Sequence, residues 1–283
     1  MASMKDIKRR KGSVQSTQQI TKAMKLVSTV KLQKARTNAE NANPFFNHMY
    51  ETVQSILQKS QGVNHPYLQP SASDRVAVIV ISANRGLAGG YNSNIVRTVT
   101  GLGIPKEKMD VYAIGTKGRD GLLGKGYHVA GDFSPYVEGP TYEDAKVVCN
   151  RVLESYLAGE IGEIHLVYTH FKNTVVHIPT TLQLLPVQVE AQEEETVSVP
   201  MNFEPSEEEV LEQLVPKYVT SLIYGALVEA VASENGARMQ AMDSATSNAE
   251  EIISDLSLKY NRARQGVITQ ELTEIIAGAS AIS

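Results

Sequence analysis

The stretch SANRGLAGGYN (82–92) offers the clearest opportunity for ligand chemistry in this chain. It follows a run of strand character and precedes a helix, where backbone N–H groups can cradle a phosphate. Gly86, Gly89 and Gly90 would let the backbone approach an anion closely. The spacing matches neither GxGxxG nor GxxxxGK[ST], and no Lys-Ser or Lys-Thr pair follows. A tight strand-to-helix turn is therefore the first reading. The six histidines, at 48, 65, 128, 165, 170 and 177, show no ligand spacing such as HExxH. Cys149 is the single cysteine, which excludes an intrachain disulfide or thiolate cluster and favours a reducing compartment. Its place beside Val147 and Val148 reads as core packing. These residue types predict no metal, no cofactor and no catalysis by this chain.

Charge suggests a different activity. The chain has 283 residues, 42% of them apolar, with a net charge of −4, so a general nucleic-acid footprint is not expected. Residues 1–36 nevertheless carry ten bases, among them Lys8, Arg9, Arg10 and Lys11, against Asp6 alone. Residues 190–212 carry nine Glu and no base. Ten like charges on one helix repel unless a negative surface is near, so this face predicts an acidic partner. Arg238, Arg262 and Arg264 suit forked contacts to carboxylates, and Gln265, Thr269, Gln270 and Glu271 add polar partners one or two turns on.

The elements that position these residues fall into three segments. Residues 1–57 read as one long helix with an apolar seam at Ile7, Val14, Ile20, Met24, Val27 and Val30, and Pro44 is expected to kink or restart it. After a linker at 58–73, residues 74–188 alternate strand and helix. RVAVIVIS (75–82), MDVYAIGT (109–116), EIHLVYTHF (163–171) and VVHIPTTLQLLPV (175–187) read as strands. Helices are expected at 92–100 and 141–160, the latter capped by Thr141 and Asp144. This order predicts a Rossmann-like α/β domain with a mostly parallel sheet and an antiparallel edge. An acidic loop (189–205) leads to helix 206–283, where Ser206 and Glu209 form a capping pattern and Pro216 an early kink. In it Met239, Met242, Thr246, Ala249, Ile253, Leu256, Tyr260, Ala263 and Val267 keep heptad spacing. A seam that narrow needs a helical partner, and only the N-terminal helix has the length. The fold class is thus α/β: a long antiparallel two-helix coiled coil of the terminal segments, left-handed by its repeat, with the α/β domain inserted. No run approaches the roughly 18 apolar residues needed to span a bilayer.

The C-terminal helix outruns its partner, and its last charged residue is Glu274. Ile275, Ile276, Ala279 and Ile282 follow among small residues. The order is a polar collar and then an uncharged apolar end that the chain cannot cover itself, so another protein is expected to hold it.

ITKAMKLVSTVKLQKA (20–35), NRGLAGGYN (84–92) and ARMQAMDSATSNAEEIISDLSLKYNRARQGVITQELTEIIAGA (237–279) closely resemble the gamma subunit of the F-type ATP synthase, in order and at family spacing. The resemblance implies a rotor shaft inside a ring of alternating alpha and beta subunits, with the α/β insertion beside the epsilon subunit and the foot on the membrane c-ring. It implies that proton flow turns the shaft while the beta subunits do the chemistry, with no cofactor here. Met24 matches the family methionine near the acidic lever loop of beta. Arg238, Arg264, Gln265 and Thr269, joined by Glu271, match polar positions that touch the ring. Lys8, Arg9, Arg10 and Lys11 are added from charge alone, and Ile275, Ile276, Ala279 and Ile282 form the apolar bearing. Chloroplast relatives carry a regulatory cysteine pair, which the lone Cys149 cannot supply. The absence of a transit-like leader favours a bacterial source, hence a peripheral protein on the cytoplasmic face of the plasma membrane. The competing expectation is a nucleotide-binding enzyme using Gly86–Gly90. It leaves both long helices unexplained.

Overall fold

A computed structural model describes residues 3–59, 65–69, 73–187 and 206–282. The expected acidic loop at 189–205 and half of the linker at 58–73 lie outside the described residues. The elements in order are α1 (Met4–Lys59), β1 (Val76–Ile81), α2 (Tyr91–Thr100), β2 (Met109–Ile114), α3 (Thr116–Leu123), β3 (His128–Asp132), α4 (Tyr142–Leu157), β4 (Glu163–Phe171), β5 (His177–Leu185) and α5 (Glu207–Ile282). The described chain divides into two compact units, one drawn from residues up to Ser28 and from Met239 onward, the other Thr29–Arg238.

In the first unit α1 and α5 run antiparallel, because partners descend on one helix as they ascend on the other. Gln18 Nε2 donates to Glu250 Oε1 (3.0 Å), the Thr21 and Thr246 hydroxyls meet at 2.8 Å, and Lys25 Nζ reaches Asp243 Oδ1 at 2.6 Å. On α5 the seam is the expected one from Met239 to Ala263, whereas Val267 is exposed. On α1 the seam differs from expectation. Ile20, Val27 and Val30 face solvent at 57–71% exposure, and Thr21 and Ser28 are buried instead. The physical reason is register: Met4, Ile7, Val14, Thr21 and Ser28 keep the heptad phase, and Ile20, Val27 and Val30 lie off it. Two hydroxyls that satisfy each other remove the cost of burying them.

The second unit holds the sheet, ordered β3-β2-β1-β4-β5, with only β5 antiparallel. VAVIVI of β1 is buried at every position, as a strand covered on both faces requires. One face packs on α4, on α5 residues such as Leu211, Tyr218 and Leu227, and on Val53 of α1. The other face packs on α2 and α3 through Val78, Val80, Ile95 and Leu122. Helices α1 and α5 meet in this unit too, where the Tyr50 and Tyr218 rings lie 6.2 Å apart. Thr141 and Asp144 form the expected capping box of α4. Helix α3 and strand β3 were not expected from sequence.

Pro44 does not restart α1, and Pro216 likewise sits inside α5. An interior proline costs roughly 3 kcal/mol, which packing along a long helix offsets. The Pro216 carbonyl accepts from Thr220 Oγ1 (2.7 Å) and from the Cys149 thiol (3.6 Å). Burial pushes that thiol up to about 11, so it is inert packing. Helix α5 does contain a window of mean hydropathy 1.3, but 56% of it is buried inside the protein, as expected of a helix laid on a sheet.

Candidate functional site

The glycine loop leaves the C-terminal end of β1 and enters α2. Leu87 (φ 61) and Gly89 (φ 56) turn it through the left-handed region. Asn92 Oδ1 holds it by accepting from the Ala83 N–H at 3.0 Å, and Asn92 Nδ2 donates to the Arg85 carbonyl. In a doubly wound sheet this is where a phosphate would meet helix N–H groups. Here the first donors of α3 are already engaged by residues at the end of β1. Thr116 N–H goes to Asn84 Oδ1 (3.0 Å), Lys117 N–H to the Ala83 carbonyl (3.0 Å), and Gly118 N–H to Ser82 Oγ (2.8 Å).

The crevice at the end of β1 is filled as well. Helix α5 crosses it, and the space among Ile81, Ser82, Tyr91, Leu227, Ala230 and Glu234 is too tight for a water molecule. Tyr91 is buried, its hydroxyl donates to the Ala230 carbonyl at 3.2 Å, and desolvation raises its pKa. The loop is thus a strand-to-helix turn seated against α5.

The expected contact residues separate into two groups. Arg264, Gln265, Thr269, Glu271, Ile275, Ile276 and Ala279 all lie on the exposed stretch of α5 from 264 to 280, with Ile275 and Ile276 at 68% exposure. The side chain of Ile282 lies outside the described ones. Lys8, Arg9 and Arg10 are exposed on α1, Lys11 is half-buried, and Arg9 pairs with Asp6 at 3.6 Å. Met24 is half-buried on the same helix. Arg238 differs: its side chain is only 12% exposed, pairs with Glu234 at 2.7 Å and donates to the Gly86 carbonyl at 3.4 Å. Sequence reasoning missed Glu234 and Tyr91. The i,i+4 spacing of Glu234 before Arg238 was the available signal.

Histidines are held structurally. His165 meets Glu163 at 2.9 Å and His170 meets Glu229 at 2.7 Å. Among the described residues no group of three or more His, Cys, Asp or Glu could hold a metal. His177 is the unusual one, with Nε2 buried and without a hydrogen-bond partner. Burial lowers its pKa below the usual 6.5. The unfolded chain therefore takes a proton that the folded ring refuses. Stability from the neutral ring is fully present above about pH 6.5 and is lost as pH falls through the lowered folded value. We expect the urea midpoint to fall further on going from about pH 7.5 to about 5.5 in the native chain than in His177→Gln. Equal falls would remove His177 as the cause.

The chain thus combines two long helices that pair antiparallel with an α/β unit in which α5 closes the crevice at the end of β1. The family model described as ATP synthase matches residues 3–282. The chain is 60% identical, over 100% of both chains, to the ATP synthase gamma chain of Lachnoclostridium phytofermentans. It is 44% identical to that of Alkaliphilus metalliredigens, over 99% of this chain and 98% of the relative. The chain belongs to the ATP synthase gamma chain family. Among solved structures it is similar to a chain of the Tetrahymena thermophila mitochondrial ATP synthase central stalk and c-ring, with TM-score 0.60 and 25% identity over 80% of this chain and 99% of that one. A chain of the Euglena gracilis mitochondrial enzyme shares the fold at TM-score 0.71 and 18% identity, over 99% of this chain and 94% of that one.

Proposed function

We propose that this chain is the turning shaft of a proton-translocating ATP synthase. It couples rotation of a membrane c-ring to conformational cycling in a ring of alternating alpha and beta subunits, with an epsilon subunit beside the α/β unit. It is a non-catalytic subunit, and the filled crevice at the end of β1 and the engaged N–H donors at the start of α3 support that. The complex would place it peripherally on the cytoplasmic face of a bacterial plasma membrane, in keeping with its bacterial relatives.

The observation that carries the reading is the exposed stretch 264–280. Ile268, Leu272, Ile275 and Ile276 are 47–68% exposed there on an uninterrupted helix. Isolated helices of about this length are marginal in water, so the stretch requires a sleeve supplied by other subunits. Arg264, Gln265, Thr269 and Glu271 would meet polar loops at its mouth, and Ile275, Ile276, Ala279 and Ile282 would turn in an apolar seat. Met24 and the basic Lys8–Lys11 face would meet acidic loops of the same ring.

The test is reconstitution of this chain with alpha and beta subunits. We expect the complex to hydrolyse ATP faster than alpha and beta alone. We expect Arg264→Ala with Gln265→Ala to lower ATP-driven turnover or assembly at least about fivefold, the range for losing one or two interface anchors. Unchanged turnover and assembly in the double variant would remove the collar.

A further inference from the structure

We infer that the glycine loop is a torsional clamp on α5, with Tyr91, Glu234 and Arg238 as positioning residues that keep this helix from turning about its own axis within the α/β unit. The inference rests on the shaft reading and assigns the loop a mechanical task within it.

The argument starts from what holds a helix against rotation. Leu211, Val215, Ile223 and Leu227 press α5 onto the sheet. Apolar burial of that kind is non-directional, so it resists separation more than it resists rolling. Resistance to rolling needs directional contacts away from the helix axis. In the last two turns of α5 within this unit the contacts change to that kind. The Tyr91 hydroxyl donates to the backbone carbonyl of Ala230 at 3.2 Å. Two turns on, Arg238 donates to the Gly86 carbonyl at 3.4 Å while Glu234 holds its guanidinium at 2.7 Å. Between them Ala237 packs on the small cluster of Ala83, Ala88 and Tyr91.

An i,i+4 ion pair on a helix surface would need no such explanation, since it is worth only a few tenths of a kcal/mol. This pair is different because both side chains are nearly buried, at 12% and 13% exposure. Burying two charges carries a desolvation penalty that a surface pair avoids. The carbonyl of Gly86 takes up a remaining donor of Arg238, which ties the pair to the loop. The loop also has anchors independent of α5. Asn84 Nδ2 donates to the Ser134 carbonyl at 2.9 Å, and Ser82 and Asn84 accept from the start of α3. A twist applied to α5 therefore passes through Tyr91 and Arg238 into the loop and on into β1 and α3, in parallel with the bonds of Glu229 to His170 and of Ser233 to the Thr169 carbonyl on β4.

The test uses the complete membrane-bound complex in sealed vesicles, with ATP hydrolysis and ATP-driven proton uptake read on the same preparation. The variant is Glu234→Gln with Arg238→Met, which leaves no unpaired buried charge, and Tyr91→Phe is added to it. We expect proton uptake per ATP hydrolysed to fall about threefold or more while hydrolysis changes less than about twofold, the scale on which single positions alter coupling. Arg238→Lys alone keeps a cation for both Glu234 and the Gly86 carbonyl and should retain most of the uptake. An uptake ratio equal to the unaltered complex would overturn the clamp, even if the variant assembled poorly or melted earlier. Failure of the shaft reading would look different: the unaltered complex would then show no proton uptake dependent on this chain.

Discussion

Replacing Gly115 by Ala should lower the melting temperature of this protein more than any other single-methyl change in it. Gly115 joins β2 to α3 at φ 112, a conformation that a side chain resists, and a Cβ there would lie 2.2 Å from the Ser82 carbonyl oxygen. The strain of such a backbone costs about 1–3 kcal/mol. Forcing a methyl against backbone in a packed core adds about as much again. Neither neighbour can yield, because Ser82 N–H donates to the Ile114 carbonyl at 2.8 Å and Ser82 Oγ donates to the Gly115 carbonyl at 3.1 Å. Against a total stability of about 5–15 kcal/mol this is a large fraction. At about 2–4 °C per kcal/mol for a unit of this size, the melting point should drop by about 10 °C. Gly103→Ala is the control. It shares a positive φ of 74 but nothing lies within 4 Å of its Cβ, so only the backbone term applies. If both variants melt alike, the contact with Ser82 is not what makes position 115 special.

The second large effect is expected at Gly236, inside α5. On propensity alone Gly236→Ala should stabilise a helix by about 1 kcal/mol. Here a Cβ would sit 2.5 Å from His177 Nε2, on a ring that also lies beside Phe171 with centroids 6.0 Å apart. Overpacking costs about 1–3 kcal/mol, so the steric term exceeds the propensity gain and the variant should be less stable than the native chain. Removing the obstacle reverses the sign. In a His177→Ala background the same substitution should be stabilising, giving an interaction energy of about 1–3 kcal/mol in a double-mutant cycle measured by urea unfolding. Additive effects would mean that the ring and the helix do not bear on each other in solution.

What the sequence disclosed follows from how strongly each element announces its period. The α5 seam was legible because Met239 to Ala263 alternate steps of three and four through residues that are mostly apolar. The α1 seam was misread because the larger apolar residues Ile20, Val27 and Val30 are the exposed ones, while the buried phase runs through Thr21 and Ser28. A hydrophobicity argument cannot find a seam that hydroxyls complete. Strands β1, β2 and β4 were plain from β-branched runs. Helix α3, TKGRDGLL, was hidden by Gly118 and Gly121. Those glycines are not helix breakers here: a Cβ would meet Ser82 Oγ at 2.6 Å at the first and Val96 at 2.9 Å at the second. Strand β3, HVAGD, is an edge strand too short and too polar to carry a pattern. The polar and apolar residues from Arg264 to Ala279 were legible as a group because they share one helix. Arg238 was grouped with them by residue type and by the resemblance, and only the fold places it against Glu234 and Gly86.

The exposure of α5 from 264 to 280 has a bearing on how variation in this chain should be interpreted. Side chains that stay in solvent contribute little to the free energy of folding, so substitutions along this stretch should leave the purified chain as soluble and as heat-resistant as before. A screen for thermostability would pass nearly all of them. Selection acting there must then work through growth on the product of the whole assembly, and never through loss of the folded chain. Tolerance to substitution at Gly115 reports on this molecule, whereas tolerance at Arg264 or Ile276 reports on whatever surrounds it.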